Sequence, residues 1–357
     1  MKSILFTGGG SAGHVTVNLA LIPKFIEDGW KVDYIGSVDG IERRLIEPLE
    51  GVTYHPIATG KLRRYFDWRN AKDPFKVVKG VMQAYRLIRR LKPNVVFSKG
   101  GFVSVPVVLG ARMNKTPILI HESDLTPGLA NRIAMPFATG ICTTFPETSQ
   151  YIKAGSTEVR HVGAVIREEI RQGDAQRGRA FCDLNASKPV LLIMGGSLGA
   201  RAINSAVRAA LPELTRRFYI VHLCGKGGID PSIENSSYRQ YEYVQEQLPD
   251  VLAMTDIVIT RAGSNSIYEF LSLQLPMLLI PLSKRQSRGD QLLNAASFKE
   301  AGYAQVLEEE QLSAETLVAE VTKLYDERHT YRYTMRRHAQ QDALSSVYGW
   351  IGGIAKP

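Results

Sequence analysis

Thr7-Gly8-Gly9-Gly10-Ser11-Ala12-Gly13-His14 stands directly behind the apolar run Ile4-Leu5-Phe6, and Gly195-Gly196-Ser197-Leu198-Gly199-Ala200-Arg201 directly behind Val190-Leu191-Leu192-Ile193-Met194. Each stretch reads as a buried strand, a glycine-rich turn and the start of a helix. Glycine lets the main chain approach a phosphate closely, and a helix N-terminus offers unpaired N–H groups carrying about half a positive charge. One such turn is common. Two of them, nearly two hundred residues apart, each at the head of its own half of the chain, predict twin nucleotide-binding-type domains facing one cleft.

Outward from these turns, short apolar runs alternate with amphipathic stretches. In the first half, strands are expected at Ile4–Thr7, Val32–Ile35, Thr53–Ile57, Val95–Ser98, Ile118–His121, Ile141–Thr144 and Val159–Val162. In the second they are expected at Val190–Met194, Tyr219–Leu223, Tyr241–Val244, Ile257–Thr260, Met277–Ile280 and Ala304–Leu307. Val15, Leu19, Ile22 and Ile26 have helical spacing, which predicts a helix over Val15–Glu27. Such a βαβα order predicts parallel sheets with helices on both faces. The polar stretch Arg167–Lys188 reads as a linker and Glu327–Pro357 as a basic helical tail. The expected domains are 1–163 and 164–340, with a final helix in 341–357 that packs back on the first.

A chain of 357 residues, 44% hydrophobic, suffices for two ordinary cores. Its three cysteines are far apart and show no metal spacing, which fits reduced thiols in a cytosolic protein. The first apolar stretch stops at Phe6, unlike a signal peptide, and no apolar run approaches the roughly 18–20 residues of a membrane span. A soluble or peripheral protein is expected. The net charge is +9, and the segment Lys61–Lys92 alone carries eleven basic residues against Asp67 and Asp73. The whole excess therefore lies in one segment, interleaved with Tyr65, Phe66, Trp68, Phe75, Val78 and Met82. Three readings suit it: the surface of an anionic bilayer, where each basic residue adds about 1 kcal/mol, a nucleic acid, or a solvated helix with one buried side.

The first turn fits G-x-G-x-x-G through Gly8, Gly10 and Gly13, but the ribose-binding acid expected at the end of the second strand is missing from Tyr34-Ile35-Gly36-Ser37. His14 follows the last glycine, in a helical first turn whose dipole favours neutral imidazole, a form that accepts a proton. The loops Ser98-Lys99-Gly100-Gly101-Phe102 and His121-Glu122-Ser123-Asp124 follow strands, so both lie at carboxyl ends, where open α/β sheets hold ligands. Glu122 and Asp124 suit either sugar hydroxyls or turn formation. In the second half, Ser264, Asn265 and Ser266 offer N–H groups to a phosphate, and Glu269, one turn on, suits the two hydroxyls of a ribose. Asp290, Gln291 and Asn294 share one helix face after Ile280-Pro281. No D-x-D, Walker lysine or H-E-x-x-H pattern occurs, so no metal and no cofactor are implied.

Taken in order, Gly9-Gly10-Ser11-Ala12-Gly13-His14, Lys99-Gly100-Gly101-Phe102, His121-Glu122-Ser123-Asp124, Val162-Gly163-Ala164-Val165-Ile166-Arg167, Gly195-Gly196-Ser197-Leu198-Gly199-Ala200, Arg261-Ala262-Gly263-Ser264 and Asp290-Gln291-Leu292-Leu293-Asn294 resemble the MurG family in its Gram-positive form. These are peptidoglycan N-acetylglucosaminyltransferases that convert lipid I to lipid II. The resemblance implies a GT-B fold, with two Rossmann-like domains, UDP-GlcNAc mainly in the second and the lipid acceptor on the first. It implies uracil near Val244, ribose on Glu269, phosphates around Ser197 and Ser264-Asn265-Ser266, and GlcNAc hydroxyls on Gln291. Asn204, Asn294 and Asp124 would line the donor site, and Arg167 would contact the diphosphate. His14 would be the base, beside the acceptor with the Ser11-Ala12-Gly13 loop, whose three residues would also bind UDP-GlcNAc, and Gly100, Gly101, Phe102 and Glu122 would contact the acceptor. Ala12, Phe102, Asp124 and Asp290 depart from the proteobacterial pattern. The resemblance implies a peripheral enzyme at the cytoplasmic membrane face, reaching its undecaprenyl-linked substrate through Lys61–Lys92 and binding no nucleic acid. A UDP-GlcNAc 2-epimerase shares this architecture and donor and is the alternative. A nicotinamide oxidoreductase would rest on the first glycine turn alone.

Overall fold

Short runs of three to seven residues, mostly apolar, become thirteen strands among the described residues, and every strand pairing is parallel. The structure is a computed structural model that describes residues 1–11, 13–60, 73–153, 155, 157–196, 200–283, 289–338 and 342–355. In chain order the elements are β1 (Ser3–Thr7), α1 (Gly13–Glu27), β2 (Lys31–Ser37), α2 (Ile41–Ile46), β3 (Val52–Ile57), α3 (Asp73–Leu91), β4 (Val95–Ser98), α4 (Ser104–Met113), β5 (Ile118–Glu122), α5 (Leu129–Ala134), β6 (Gly140–Thr143) and β7 (Glu158–His161). There follow α6 (Ala175–Phe181), β8 (Val190–Met194), α7 (Arg201–Arg217), β9 (Tyr219–Leu223), β10 (Tyr238–Tyr241), α8 (Leu248–Ala253), β11 (Ile257–Thr260), α9 (Ser264–Ser272), β12 (Met277–Leu279), α10 (Asp290–Glu300), β13 (Ala304–Val306), α11 (Ala314–Asp326), α12 (Arg328–Arg336) and α13 (Ala343–Ile354).

The chain divides into two compact units, Met1–Ile166 with Gln341–Pro357, and Arg167–Gln340. Unit 1 holds a seven-stranded sheet in the order β3-β2-β1-β4-β5-β6-β7, and unit 2 a six-stranded sheet in the order β10-β9-β8-β11-β12-β13. In both, the first strand is central and the order reverses beside it. That switch point is where open α/β sheets place ligands.

Both faces of the first sheet are buried. Ile4, Phe6, Val95, Phe97 and Leu119 face α1 and α13, while Leu5, Val96, Ile118, Ile120 and Ile141 face Ala84 and Ile88 of α3 and Val107, Val108 and Ala111 of α4. Phe6 meets Phe25 and Phe97 edge-on, with ring centroids 5.7 Å apart in each pair. From α13, Val347, Trp350 and Ile351 enter the same core, and Trp350 lies against Gly140. The second sheet buries Leu191, Ile193, Ile220, Ile257 and Leu278 against α7 and α11.

Three expectations need correction. The strand expected at Tyr241–Val244 lies three residues earlier, because main-chain pairing with β9 runs from Tyr238↔Ile220 to Tyr241↔Leu223. The buried stripe of α1 is Val15, Val17, Asn18, Leu21, Ile22 and Phe25, so Leu19 and Ile26 are only partly covered. The stretch expected as a linker folds: Asp174 caps α6 by accepting from the Arg177 N–H at 2.8 Å, and Arg177 pairs with Asp250. The three cysteines are free and buried.

Candidate active site

In unit 1 the loops that follow β1, β4 and β5 gather at one end of the sheet. His14 lies in the first turn of α1. Its Nδ1 sits 3.1 Å from the Gly9 carbonyl oxygen and 3.0 Å from Ser11 Oγ. A carbonyl only accepts, so the Gly9 contact puts the proton on Nδ1 and leaves Nε2 with its lone pair. The second loop closes on the first: the Gly9 N–H donates to the Gly100 carbonyl at 3.3 Å, and the Phe102 ring covers Gly10. Gly100 and Gly101 both have left-handed φ, and a Cβ on Gly101 would fall 2.0 Å from the Gly9 oxygen. Only glycine permits that approach.

The rim of this end is built differently from expectation. Glu122 is 4% exposed, and its carboxylate accepts from the Asp124 N–H, the Gly128 N–H and Asn131 Nδ2, at 2.9–3.0 Å. It shapes the turn after β5 and does not extend toward an acceptor. Asp124 is half-buried on that turn. Beneath it, Lys99 is 2% exposed and donates to Ser123 Oγ. Burial lowers the Lys99 pKa, against the pull of Glu122 and Asp124.

An acid does reach the end of β2, from α2, but its oxygens are taken by the chain and not left for a ribose. Glu42, 0% exposed, accepts from the Ser37 N–H at 3.0 Å, from Ser37 Oγ, and from the Gly10 N–H at 3.1 Å. A carboxylate already occupies the first turn, where a phosphate would be held. This closes the nicotinamide reading.

At the corresponding end of unit 2, residues 197–199 and 284–288 lie outside the described residues. Gly196 and Gly263 have nothing within 4 Å of a Cβ built on them, among the described residues. Gly263 caps α9, whose first turn is Ser264, Asn265 and Ser266. Glu269, one turn further, pairs with Arg167, whose Nε and Nη2 both lie 3.2 Å from Oε1. Burial raises the Glu269 pKa, and Arg167 offsets part of that rise. Val244 is buried just beyond β10. Gln291, in the first turn of α10, accepts the Leu282 N–H through Oε1 at 3.0 Å. Gly289, at φ 84°, caps that helix.

Asn204 and Asn294 are scaffold residues rather than lining. Asn204 is 6% exposed; its Nδ2 donates to the Cys224 carbonyl and its Oδ1 meets His222 Nε2, both at 2.9 Å. Asn294 is fully buried and donates to the Ala262 carbonyl at 3.1 Å, bracing the turn before α9. Ala12, Ser197 and the stretch 61–72 lie outside the described residues. The rest of the basic segment forms α3, where Phe75, Val78 and Met82 are 78%, 63% and 42% exposed. Among the described residues no helix is long and apolar enough to cross a membrane.

Comparison with known proteins settles the family. Residues 4–143 match the glycosyltransferase family 28 N-terminal domain, and residues 190–347 the family's C-terminal domain. The chain belongs to glycosyltransferase family 28. It is 57% identical, over 99% of both chains, to the UDP-N-acetylglucosamine–N-acetylmuramyl-(pentapeptide) pyrophosphoryl-undecaprenol N-acetylglucosamine transferase of Geobacillus thermodenitrificans. It is 58% identical, with the same coverage, to the like-named transferase of Geobacillus kaustophilus. Among solved structures, MurG of Acinetobacter baumannii superposes with a TM-score of 0.77 at 25% identity, covering 99% of this chain and 100% of that one. The glycotransferase of kitacinnamycin shares the fold, with a TM-score of 0.74 at 16% identity over 99% of each chain. This family 28 chain therefore has the two parallel α/β domains of the GT-B class.

Proposed function

We propose that this family 28 enzyme transfers GlcNAc from UDP-GlcNAc to the C4 hydroxyl of MurNAc in undecaprenyl-pyrophosphoryl-MurNAc-pentapeptide, converting lipid I to lipid II. The observation that carries the reading is near-complete alignment, at 57–58% identity, with relatives named for that transfer. Nothing favours the epimerase.

The reaction is a single inverting displacement. The acceptor C4 oxygen forms a β-1,4 bond to the anomeric carbon of GlcNAc as the bond from that carbon to the UDP oxygen breaks. The C4 proton passes to His14 Nε2, which the Gly9 contact leaves as the basic nitrogen. Ser11, Gly13, Gly100, Gly101 and Phe102 frame the acceptor sugar beside it. In unit 2 the donor diphosphate lies on main-chain N–H groups around Ser197 and of Ser264-Asn265-Ser266; among the described residues nothing crowds Gly196 or Gly263. Glu269 takes the ribose through Oε2, since Arg167 uses only Oε1, and Arg167 then shares the charge that builds on UDP. Gln291 holds GlcNAc hydroxyls and Val244 backs the uracil.

The exposed Phe75, Val78 and Met82, among Lys76, Lys79 and Arg86 on α3, suit peripheral contact with an anionic membrane at its cytoplasmic face. Incubation with UDP-GlcNAc, with and without a lipid I analogue, tests the reaction. Acceptor-dependent UDP release is expected. Epimerised or hydrolysed UDP-GlcNAc without acceptor would overturn it. For the surface, Lys76→Glu with Lys79→Glu and Arg86→Glu should abolish sedimentation with anionic vesicles; unchanged sedimentation would remove α3 from that role.

A further inference from the structure

Glu42 is a buried carboxylate with no cation bound to it among the described residues, although charged groups are rarely buried without one. Its partners are three donors: the Ser37 N–H and hydroxyl at one oxygen and the Gly10 N–H at the other. The chain is shaped around it. A Cβ on Gly9 would fall 2.4 Å from Glu42 Cδ, one on Gly40 2.4 Å from either carboxylate oxygen, and one on Gly36 3.0 Å from Cγ. Gly9 in the first turn and Gly36 and Gly40 at the end of β2 leave room for this side chain, Gly36 lying closer still to the Tyr54 hydroxyl.

The Gly10 N–H and the Gly9 carbonyl belong to the same planar peptide unit. Glu42 holds its N–H end at 3.1 Å, and the His14 Nδ1–H holds its carbonyl end at 3.1 Å. The peptide is a rigid, resonance-coupled connector. A carboxylate that polarises its N–H makes its carbonyl a stronger acceptor, as in any hydrogen-bonded chain. The stronger acceptor fixes the tautomer with the proton on Nδ1 and raises the basicity of Nε2. A carboxylate bound directly to an imidazole does the same in catalytic triads.

We infer that Glu42 is a positioning residue for the glycosyl transfer, acting on His14 through the Gly9–Gly10 peptide as the orienting carboxylate of a dyad with one peptide unit inserted. Its place in the reaction rests on the reading of His14 as base. The contact itself does not.

Glu42→Gln tests it. The amide oxygen still accepts from Ser37, but the –NH2 then faces the Gly10 N–H, donor to donor. The expected result is a kcat lower by about tenfold, with KM for UDP-GlcNAc changed less than about twofold. The NMR-monitored titration of His14 should move down by about half a pH unit. In a His14→Gln background the same change should cost less than about twofold, because its route is gone. A tenfold loss in both backgrounds, or an unmoved His14 titration, would overturn the inference. Ser37→Ala, which loosens the carboxylate's other end, should leave the His14 titration in place; an equal shift there would mean general loosening and would also overturn it. The unaltered protein, glycine-labelled with 15N, gives a test that needs no variant: the Gly10 amide resonance should follow the titration of the His14 ring, and indifference would overturn the coupling. If His14→Gln keeps full turnover, the reading of His14 as base fails, while the NMR coupling stands or falls by itself.

Discussion

The two glycine turns begin from the same local pattern and end in opposite states. The turn of unit 1 is filled by its own chain: Glu42 lies on Gly9 and Gly10, Phe102 on Gly10, and the Gly100–Gly101 loop on Gly9. Around the turn of unit 2, Gly196 and Gly263 face open space among the described residues. Behind the turns the two units still match. Asn18 and Asn204 each stand five residues past the last glycine, Gly13 or Gly199. Asn18 donates to Tyr34 on β2, and Asn204 meets His222 on β9, the equivalent second strand. A shared framework thus carries one turn that holds a side chain in place and another whose described glycines, Gly196 and Gly263, meet no described atom. A glycine-rich turn by itself does not say which of the two it will be.

The largest expected effect tests the closed turn. His14→Ala should lower turnover by roughly 10²-fold or more while UDP-GlcNAc still binds by calorimetry. Turnover within a few-fold of the unaltered enzyme would leave the closed turn without its catalytic role.

Next come two buried strand histidines, His121 on β5 and His222 on β9. His222 has a partner on each ring nitrogen, Tyr238 at 2.8 Å and Asn204 at 2.9 Å, whereas His121 has none among the described residues. Replacing a partnered group leaves its partners unsatisfied, and replacing an unpartnered one does not. His222→Leu should therefore cost about 3 kcal/mol in denaturant unfolding and His121→Leu less than about 1. Equal costs would break the distinction. Burial, with Arg208 second, holds the His222 pKa at about 3. The unfolded chain takes up that proton near 6.5, so stability present at neutral pH is lost as pH falls from about 6.5 toward 3, by about 2 kcal/mol at pH 5.

A smaller effect separates the turns directly. Gly9→Ala drives a methyl into Glu42 and should cost about 2 kcal/mol of stability. Gly263→Ala, at φ −74° and in open space, should leave the melting temperature alone and weaken UDP-GlcNAc about fivefold. A stable Gly9→Ala protein would mean the first turn is not closed as described.

The smallest effect concerns Glu269. Its raised pKa means the folded protein keeps that proton to higher pH than the unfolded chain does, so ionising it subtracts stability as pH rises through the window between the two values. Ribose hydroxyls need the ionised form. UDP affinity should fall as pH falls through that window, and Glu269→Gln should flatten the dependence.

Most of the framework was legible in the chain because buried parallel strands are short apolar runs bounded by turns, and twelve of the thirteen fell where such runs stand. β10 did not, since Tyr238-Arg239-Gln240-Tyr241 is polar on its face and only its pairing to β9 marks it. At the sites, the helix starts and His14 were readable from glycine spacing. The closure of side chains on the main chain was not. Glu122, Asn204 and Asn294 have the composition of ligand-binding residues, and nothing in their spacing says that their polar atoms are already used. Glu42 is not legible because the dinucleotide pattern places its acid at the end of β2, and this one comes from five residues beyond Ser37. Gly36 and Gly40, flanking that strand end, were its signal.

The last helix adds a constraint of another kind. Val347, Trp350 and Ile351 complete a wall of the core that Ile4 and Phe6 begin, more than three hundred residues earlier. During synthesis the face of the amino-terminal sheet that α1 covers stays incomplete beside Phe25 and Cys142 until residues 343–354 have left the ribosome. Expression of residues 1–166 alone would present that uncovered side to other chains, so aggregation is the natural fate of the fragment.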